Sequence, residues 1–437
     1  MIDNIFDYAE NLHIQTHAQI QKIFDRFHKL KSKLLEYINS IQENLQLWLK
    51  EFNSKFNQLN KEDVAQAKVQ HQKIEEENKN WITKISNALN KMKNCDEYQS
   101  FFNQLQGIHK EDCEIKLIST IIQQECECNA ISINKSGSLI ATGDAENISI
   151  WEIKEGNMKR VQQITKHPQF VSCLIFSRFT NSFISACKGG RIHCWQYTVG
   201  IGNFQSKSEQ FQYGPINCMI LNKEDNQLFS GSEANRIIVW KVDFESYQLI
   251  KMQELQTQGQ VEGLALSPSE QILASILNNK EIAIYNKQNN KKWYFHSNAT
   301  KITDESGSRI CFLSENNFIW VTGGQAGIDS ICFFVEDNGQ YKETEKKIKL
   351  TENKKEYDFH QFDIIYQREK NIVIIKQKFQ IWIMRVNYNG ELEKISVIQC
   401  NSKRTVGTLT HDGSKFIYFE RIDNRVGKFY IYNLELN

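Results

Sequence analysis

Ile237-Ile238-Val239-Trp240 ends a unit that recurs along three quarters of the chain. Its counterparts are Ile148-Ser149-Ile150-Trp151, Ile192-His193-Cys194-Trp195 and Ile282-Ala283-Ile284-Tyr285, each with an apolar residue three before and one before the aromatic. Phe334, Trp382 and Tyr432 continue the series, so seven aromatics follow one another at intervals of 44, 45, 45, 49, 48 and 50 residues. Self-similarity at this period predicts a stacked or circular array of one supersecondary unit. Arrays of this kind offer extended recognition surfaces, and that sets the functional expectation for the whole chain.

Around the quoted stretch the unit reads as three strands, 216–221, 227–230 and 236–242, followed by a fourth over 248–255. From about Ile115 onward, short runs rich in Ile, Val and Phe alternate with Gly, Asn, Asp and Ser, the pattern of successive hairpins. Tight-turn residues fall between the runs, as in Lys135-Ser136-Gly137, Ser267-Pro268-Ser269 and His411-Asp412-Gly413.

The segments 129–153, 171–197 and 216–242 resemble repeats of the WD40 family, which end in Trp-Asp. Here the closing dipeptides are Trp151-Glu152, Trp195-Gln196 and Trp240-Lys241, and most of the family's buried Asp-His-Ser/Thr-Trp set is replaced. His167, four before Val171, falls where the family's His belongs. Later units, about 308–335, 362–386 and 405–434, match mainly in spacing and hydropathy. The resemblance covers about residues 115–437 and implies seven four-stranded blades around a central channel. It further implies closure by strand pairing between the ends: only five residues follow Tyr432, and the unassigned run 115–121 is free to supply the missing outer strand.

The first Gly is Gly107 and the first Pro is Pro168, so about a hundred residues lack both helix breakers. Ile20, Ile23, Phe27, Leu30, Leu34, Tyr37 and Ile41 alternate three and four apart, and Leu45, Trp48 and Phe52 continue the seam. A helical coiled coil is predicted over 1–110, as one rod or as a hairpin turning near residues 60–63. The expected fold class is therefore α plus all-β: an N-terminal coiled coil, then a seven-bladed propeller over 115–437.

At 437 residues the chain is too long for one hydrophobic core. A net charge of +1 gives no field for non-specific nucleic-acid or membrane-surface binding. Eleven scattered Cys without metal spacing read as reduced thiols, and the start MIDNIFDYAENLH has acids where a signal peptide needs bases. No run of eighteen apolar residues occurs. A cytoplasmic setting is expected, with nucleus or cilium as alternatives.

Catalytic and metal chemistry is thinly represented. Cys126-Glu127-Cys128 lacks a second ligand pair, and His13 and His17, four apart on the predicted helix, lack a third ligand. No G-x-S-x-G occurs, and Gly189-Gly190 and Gly323-Gly324 sit in hairpin loops with no following helix to cradle phosphate. No enzyme activity, cofactor or metal is expected. The loops between second and third strands are 143–147, 188–191, 233–236 and 278–281. With the loops entering each innermost strand they gather on one face, where Phe170, Lys188, Arg191, Tyr213, Glu233, Arg236 and Asn278 are the candidate protein-binding residues. Arg191 and Arg236, each four before its Trp, are expected to form a basic pair at the channel mouth for an acidic or phosphorylated segment. The expected function is a scaffold or adaptor that binds protein partners and self-associates through 1–110. The alternative is a substrate-recognition or assembly subunit of an enzyme complex, for ubiquitin transfer or cytosolic iron–sulfur protein assembly.

Overall fold

The middle strands of each unit are buried on both faces, which requires a neighbouring unit on either side. In the third unit, Gln227–Ser232 is buried from its second residue on, whereas the outer strand Gln248–Gln256 buries only Leu249 and Leu255. The computed structural model describes residues 114–437 apart from 125–127, 155, 199–201, 308, 324–326, 354–361, 388–389, 423–426 and 436–437. The coiled-coil expectation over 1–110, with His13 and His17, lies outside the described residues, as does the Cys126-Glu127 part of the C-x-C.

Among the described residues the strands form seven antiparallel four-stranded sheets, six of them ordered from innermost to outermost as the chain runs. Blades 1 to 6 span 128–165, 171–211, 216–256, 261–298, 309–353 and 365–399. Blade 7 takes three strands from 405–435 and its outer strand from the other end of the propeller. There Glu114–Gln124 pairs antiparallel with Gly427–Glu435, Leu117 opposite Tyr432 and Ile121 opposite Phe429. The fold is a seven-bladed β-propeller.

The apolar core is divided among the seams. Seven clusters each join the facing sides of two consecutive blades. Ile184, Ala186 and Ile192 of blade 2 pack on Met219, Ile238 and Trp240 of blade 3, and Ile133, Ile140 and Trp151 of blade 1 pack on Phe419 and Phe429 of blade 7. On the face carrying the first-to-second-strand turns, carboxylates stitch neighbours together. Asp225 accepts the N–H of Arg178, Glu270 that of Lys223 at 2.6 Å, and Glu315 that of Ser269.

Strand register shows where the unit-ending aromatics sit. A β-bulge against the outer strand falls just before Trp151, Trp195, Trp240, Tyr285 and Tyr432. In blade 6 the bulge lies between Ile383 and Met384, so Met384, not Trp382, holds the equivalent position. Met384 is 1 % exposed and Trp382 only half-buried, which corrects the sequence series by two residues. Opposite each position, two residues further along the second strand, blades 1 to 3 carry a hydroxyl. Trp151 Nε1 donates to Thr142 Oγ1 at 2.9 Å, Trp195 to Ser185 Oγ at 2.7 Å and Trp240 to Ser230 Oγ at 2.7 Å. By register Trp320, Ile375 and Tyr418 fill this place in blades 5 to 7. Bulk therefore replaces the hydrogen bond in the half of the ring where the repeat is hardest to read.

Candidate functional site

The innermost strands of blades 1 to 4 each begin with a bulge, after Cys128, Val171, Ile216 and Val261. The extra residue is polar in all four: Asn129, Ser172, Asn217 and Glu262. A bulge re-aims the side chain it carries. Asn217 joins Ser172, Cys173, Met219, Asp363 and Thr408 in lining a cavity of about 230 Å³ inside the ring. Asp363 is reached by solvent there yet enclosed by the channel wall. That burial raises its carboxyl, and Arg309 behind it pulls the other way. Burial also raises Glu262 against the pull of Lys188, and Glu233 adds to the rise.

Lys188, Glu233 and Asn278 occupy one position, the residue after the second strand of blades 2, 3 and 4. Each N–H donates at 2.9 Å to the residue ahead of the first strand: Phe170, Pro215 and Gln260. Their side chains diverge. Lys188 Nζ donates to Asn217 Oδ1 and lies 3.5 Å from Glu233 Oε1, tying blade 2 to blade 3 beside the channel. Asn278 Oδ1 accepts the N–H of Gln260 at 2.9 Å and so serves its own loop.

Arg191 and Arg236 do not form a basic pair at the channel mouth. Both begin third strands, and their side chains reach the outer strand instead. Arg191 pairs with Glu209, and Arg236 pairs with Glu254 at 2.7 Å, which also holds Lys251. Each guanidinium also covers a ring, Phe211 at 5.4 Å and Tyr213 at 5.7 Å. The charge is neutralised in place, and the arginines act as supports for two aromatics.

Those aromatics form a patch. Phe170, Phe211 and Tyr213 are 50 %, 55 % and 68 % exposed, too much for core residues of their size. The turn Lys188-Gly189-Gly190 separates Phe170 from the other two. A side chain on Gly189 would sit 3.1 Å from Pro168, and one on Gly190 would sit 2.1 Å from the carbonyl oxygen of Gln212. Gly190, at φ +76°, therefore lets the two loops close over one another. Phe211, Asn217, Glu262 and Asp363 extend the site beyond the sequence expectation. A signal for the bulge residues was present: a polar second residue in each innermost strand, at intervals of 43, 45 and 45.

Among the described residues no group of three or more His, Cys, Asp or Glu is arranged to hold a metal ion. The family model for the WD domain, G-beta repeat, matches residues 158–196. That stretch runs from the outer strand of blade 1 through the third strand of blade 2, so the sequence repeat straddles two blades. It includes His167, whose Nε2 lies 2.7 Å from the Ser185 Oγ that Trp195 also bonds. A WD40-repeat match thus lies within a seven-bladed β-propeller, and WD40 β-propellers are a general protein-interaction fold. Over 180 residues the chain is 26 % identical to the mouse (Mus musculus) kinesin-like protein KIF21B, covering 39 % of this chain. The chain spans about a tenth of that relative's length, since the match covers 10 % of it.

Proposed function

We propose that this protein is a non-catalytic interaction module whose partner-binding surface is the loop face of blades 2 and 3. The observation that carries the reading is the exposed trio Phe170, Phe211 and Tyr213, with two rings braced by paired arginines. Rigid aromatics on a flat, preorganised support are the residues from which interface hot spots are made. Residues 1–110 act as a coiled coil that self-associates or docks, adding avidity to each propeller contact. The setting is cytoplasmic, a reading supported by the eight described cysteines, all of them free thiols and most of them buried.

The test compares proteins recovered by the full chain, by the double variant Phe170→Ala/Tyr213→Ala, and by Met252→Ala. Met252 is a comparably exposed residue on the outer strand of blade 3. Partners retained by the wild type and Met252→Ala but lost by the double variant, at unchanged melting temperature, support the reading. An identical set from all three overturns it. An enzyme among the face-dependent partners would make the chain the recognition or assembly subunit of that enzyme's complex.

A further inference from the structure

The face opposite Phe170 and Tyr213 repeats one device and omits it once. In blades 1 to 4 the turn between first and second strands has one length. Asn134, Ser177, Asn222 and Ser267 each donate N–H to the carbonyl five residues on, at 2.9 or 3.0 Å. The second turn residue is a cation in three of them, Lys135, Arg178 and Lys223. Between blades 2 and 3 the N–H of Arg178 goes to Asp225, and its guanidinium lies 3.6 Å from the same carboxylate. Between blades 3 and 4 the N–H of Lys223 goes to Glu270 at 2.6 Å. Asp225 and Glu270 are each the fourth residue of their turn, at φ 53° and 58°. Blade 2 has Thr180 at that place. A β-branched residue resists the left-handed region, and Thr180 stays out of it. Its turn closes on Ser177 instead, whose Oγ accepts the N–H of Phe179 at 3.1 Å and of Thr180 at 3.0 Å. No carboxylate therefore comes to Lys135. Neither its N–H nor its ammonium has a partner among the described residues.

An open cleft of about 560 Å³ lies at this seam, lined by Lys135, Ser136, Phe179, Thr180 and Asn181. Its frame is fixed. Asn134 Nδ2 donates to Asn181 Oδ1 at 2.9 Å across the seam, while Asn134 Oδ1 accepts the N–H of Ser138 at 3.0 Å and of Leu139 at 2.9 Å. Phe179 is 61 % exposed, at a turn position where blades 1, 3 and 4 carry Ser136, Glu224 and Ser269. One cleft thus holds a free aromatic ring and a cation that lacks the carboxylate its counterparts have. We propose that it is a second binding surface, which takes an Asp or Glu side chain of a partner protein together with an apolar neighbour. The carboxylate makes with Lys135 the contacts that Asp225 and Glu270 make at the next two seams, and the neighbour lies on Phe179. This goes beyond the loop face described above, since the two surfaces lie at opposite ends of the innermost strands. Lys135 is exposed, so the ion pair contributes little affinity and the ring most of it. The cation sets the sign of the charge that is accepted.

A random peptide library displayed on phage tests it. The library is depleted on Lys135→Gln/Phe179→Ala and then selected on the full chain. Both substitutions are at exposed positions and should leave the melting temperature unchanged. Selected sequences are expected to carry Asp or Glu within a few positions of an aromatic or large aliphatic residue. In fluorescence polarisation, Phe179→Ala should weaken them about tenfold. Lys135→Gln should weaken them about two- to fivefold, a loss that shrinks at high salt. Phe170→Ala/Tyr213→Ala should leave them unchanged. Basic or uncharged selected sequences would overturn the assignment, as would the removal of every binder in the depletion step. A full chain whose mass in light scattering falls on Lys135→Gln would give the cleft to a second copy of the chain and overturn the partner assignment.

Discussion

The side-chain amide of Gln253 grips the backbone of Trp293 at both polar atoms. Its Nε2 donates to the Trp293 carbonyl at 2.6 Å, and its Oε1 accepts the Trp293 N–H at 2.9 Å. This joins the outer strand of blade 3 to that of blade 4, where backbone pairing does not reach. Gln162 does the same for Phe204 between blades 1 and 2, at 2.9 Å and 2.7 Å. By register the next equivalents are Ser208 and Ser297, whose hydroxyls are buried without a partner. Between blades 4 and 5 a main-chain bridge from Thr300 to the Tyr341 carbonyl takes over, at 2.8 Å.

The clamp predicts opposite effects at two seams. Gln253→Ala leaves a buried N–H and C=O unmet and should destabilise by about 1–3 kcal/mol. Ser208→Gln places an amide opposite Leu249, the counterpart of Trp293 in blade 3, and should stabilise by about 1 kcal/mol. Urea unfolding of the two variants reads both signs. A destabilised Ser208→Gln would mean that the seam between blades 2 and 3 has no room for the longer side chain.

Ring closure depends on one strand from outside blade 7's own run. Deleting 114–124 removes the outer partner of Gly427–Glu435 along its whole length and leaves an unpaired edge next to blade 1. The expected outcome is a melting temperature lower by about 5 °C or more, with aggregation in light scattering. A monodisperse deletion variant with an unchanged melt would show that the edge is closed by another segment.

Two tryptophans at similar places in the sequence pattern should behave differently. Trp240 is 1 % exposed, packs on blade 2 and donates to Ser230, so Trp240→Ala should cost about 3–5 kcal/mol. Trp382 lies two residues before the matching position, which Met384 fills, and is half-buried. Trp382→Ala should cost about half as much or less, on the same transfer-plus-cavity reasoning. Equal losses in thermal unfolding would put Trp382 back in the core and contradict the blade 6 register.

Trp382 also shows where sequence stops being informative. In a strand, residues i and i+2 share a face, so hydropathy accepts Trp382 and Met384 equally. Only the bulge between Ile383 and Met384 separates them, and a bulge is a property of pairing. The ring, its seven units and the closing strand were legible because each is repeated or forced by a missing partner. The placing of Phe170 and Tyr213 in the loops ahead of first strands was legible for the same reason. The neutralisation of Arg191 and Arg236 was not, because Glu209 and Glu254 sit eighteen residues downstream on another strand. Which carboxylate comes opposite depends on the register between third and outer strands, and that register carries its own bulge.

His167 gives the propeller a defined acid sensitivity. Its ring is 5 % exposed, packs edge-on against His193 at 4.8 Å, and has Nδ1 buried without a partner. Burial, reinforced by His193, lowers it from 6.5 to about 3. The folded protein therefore keeps His167 neutral while the unfolded chain takes up a proton below pH 6.5. Stability is fully present above that pH and is lost as pH falls toward 3. Blade 3 supplies the substitution that tests this: Gln212 stands where His167 does and exchanges hydrogen bonds with Ser230 through its amide. His167→Gln should leave stability at pH 7 within about 1 kcal/mol of the wild type. It should remove roughly 2 kcal/mol of the loss between pH 7 and pH 5, since 1.5 pH units below 6.5 correspond to about that much. Urea unfolding of both proteins at the two pH values reads the difference. A loss of the same size in His167→Gln would assign the acid sensitivity to other groups, with the buried His193 beside it the first to replace.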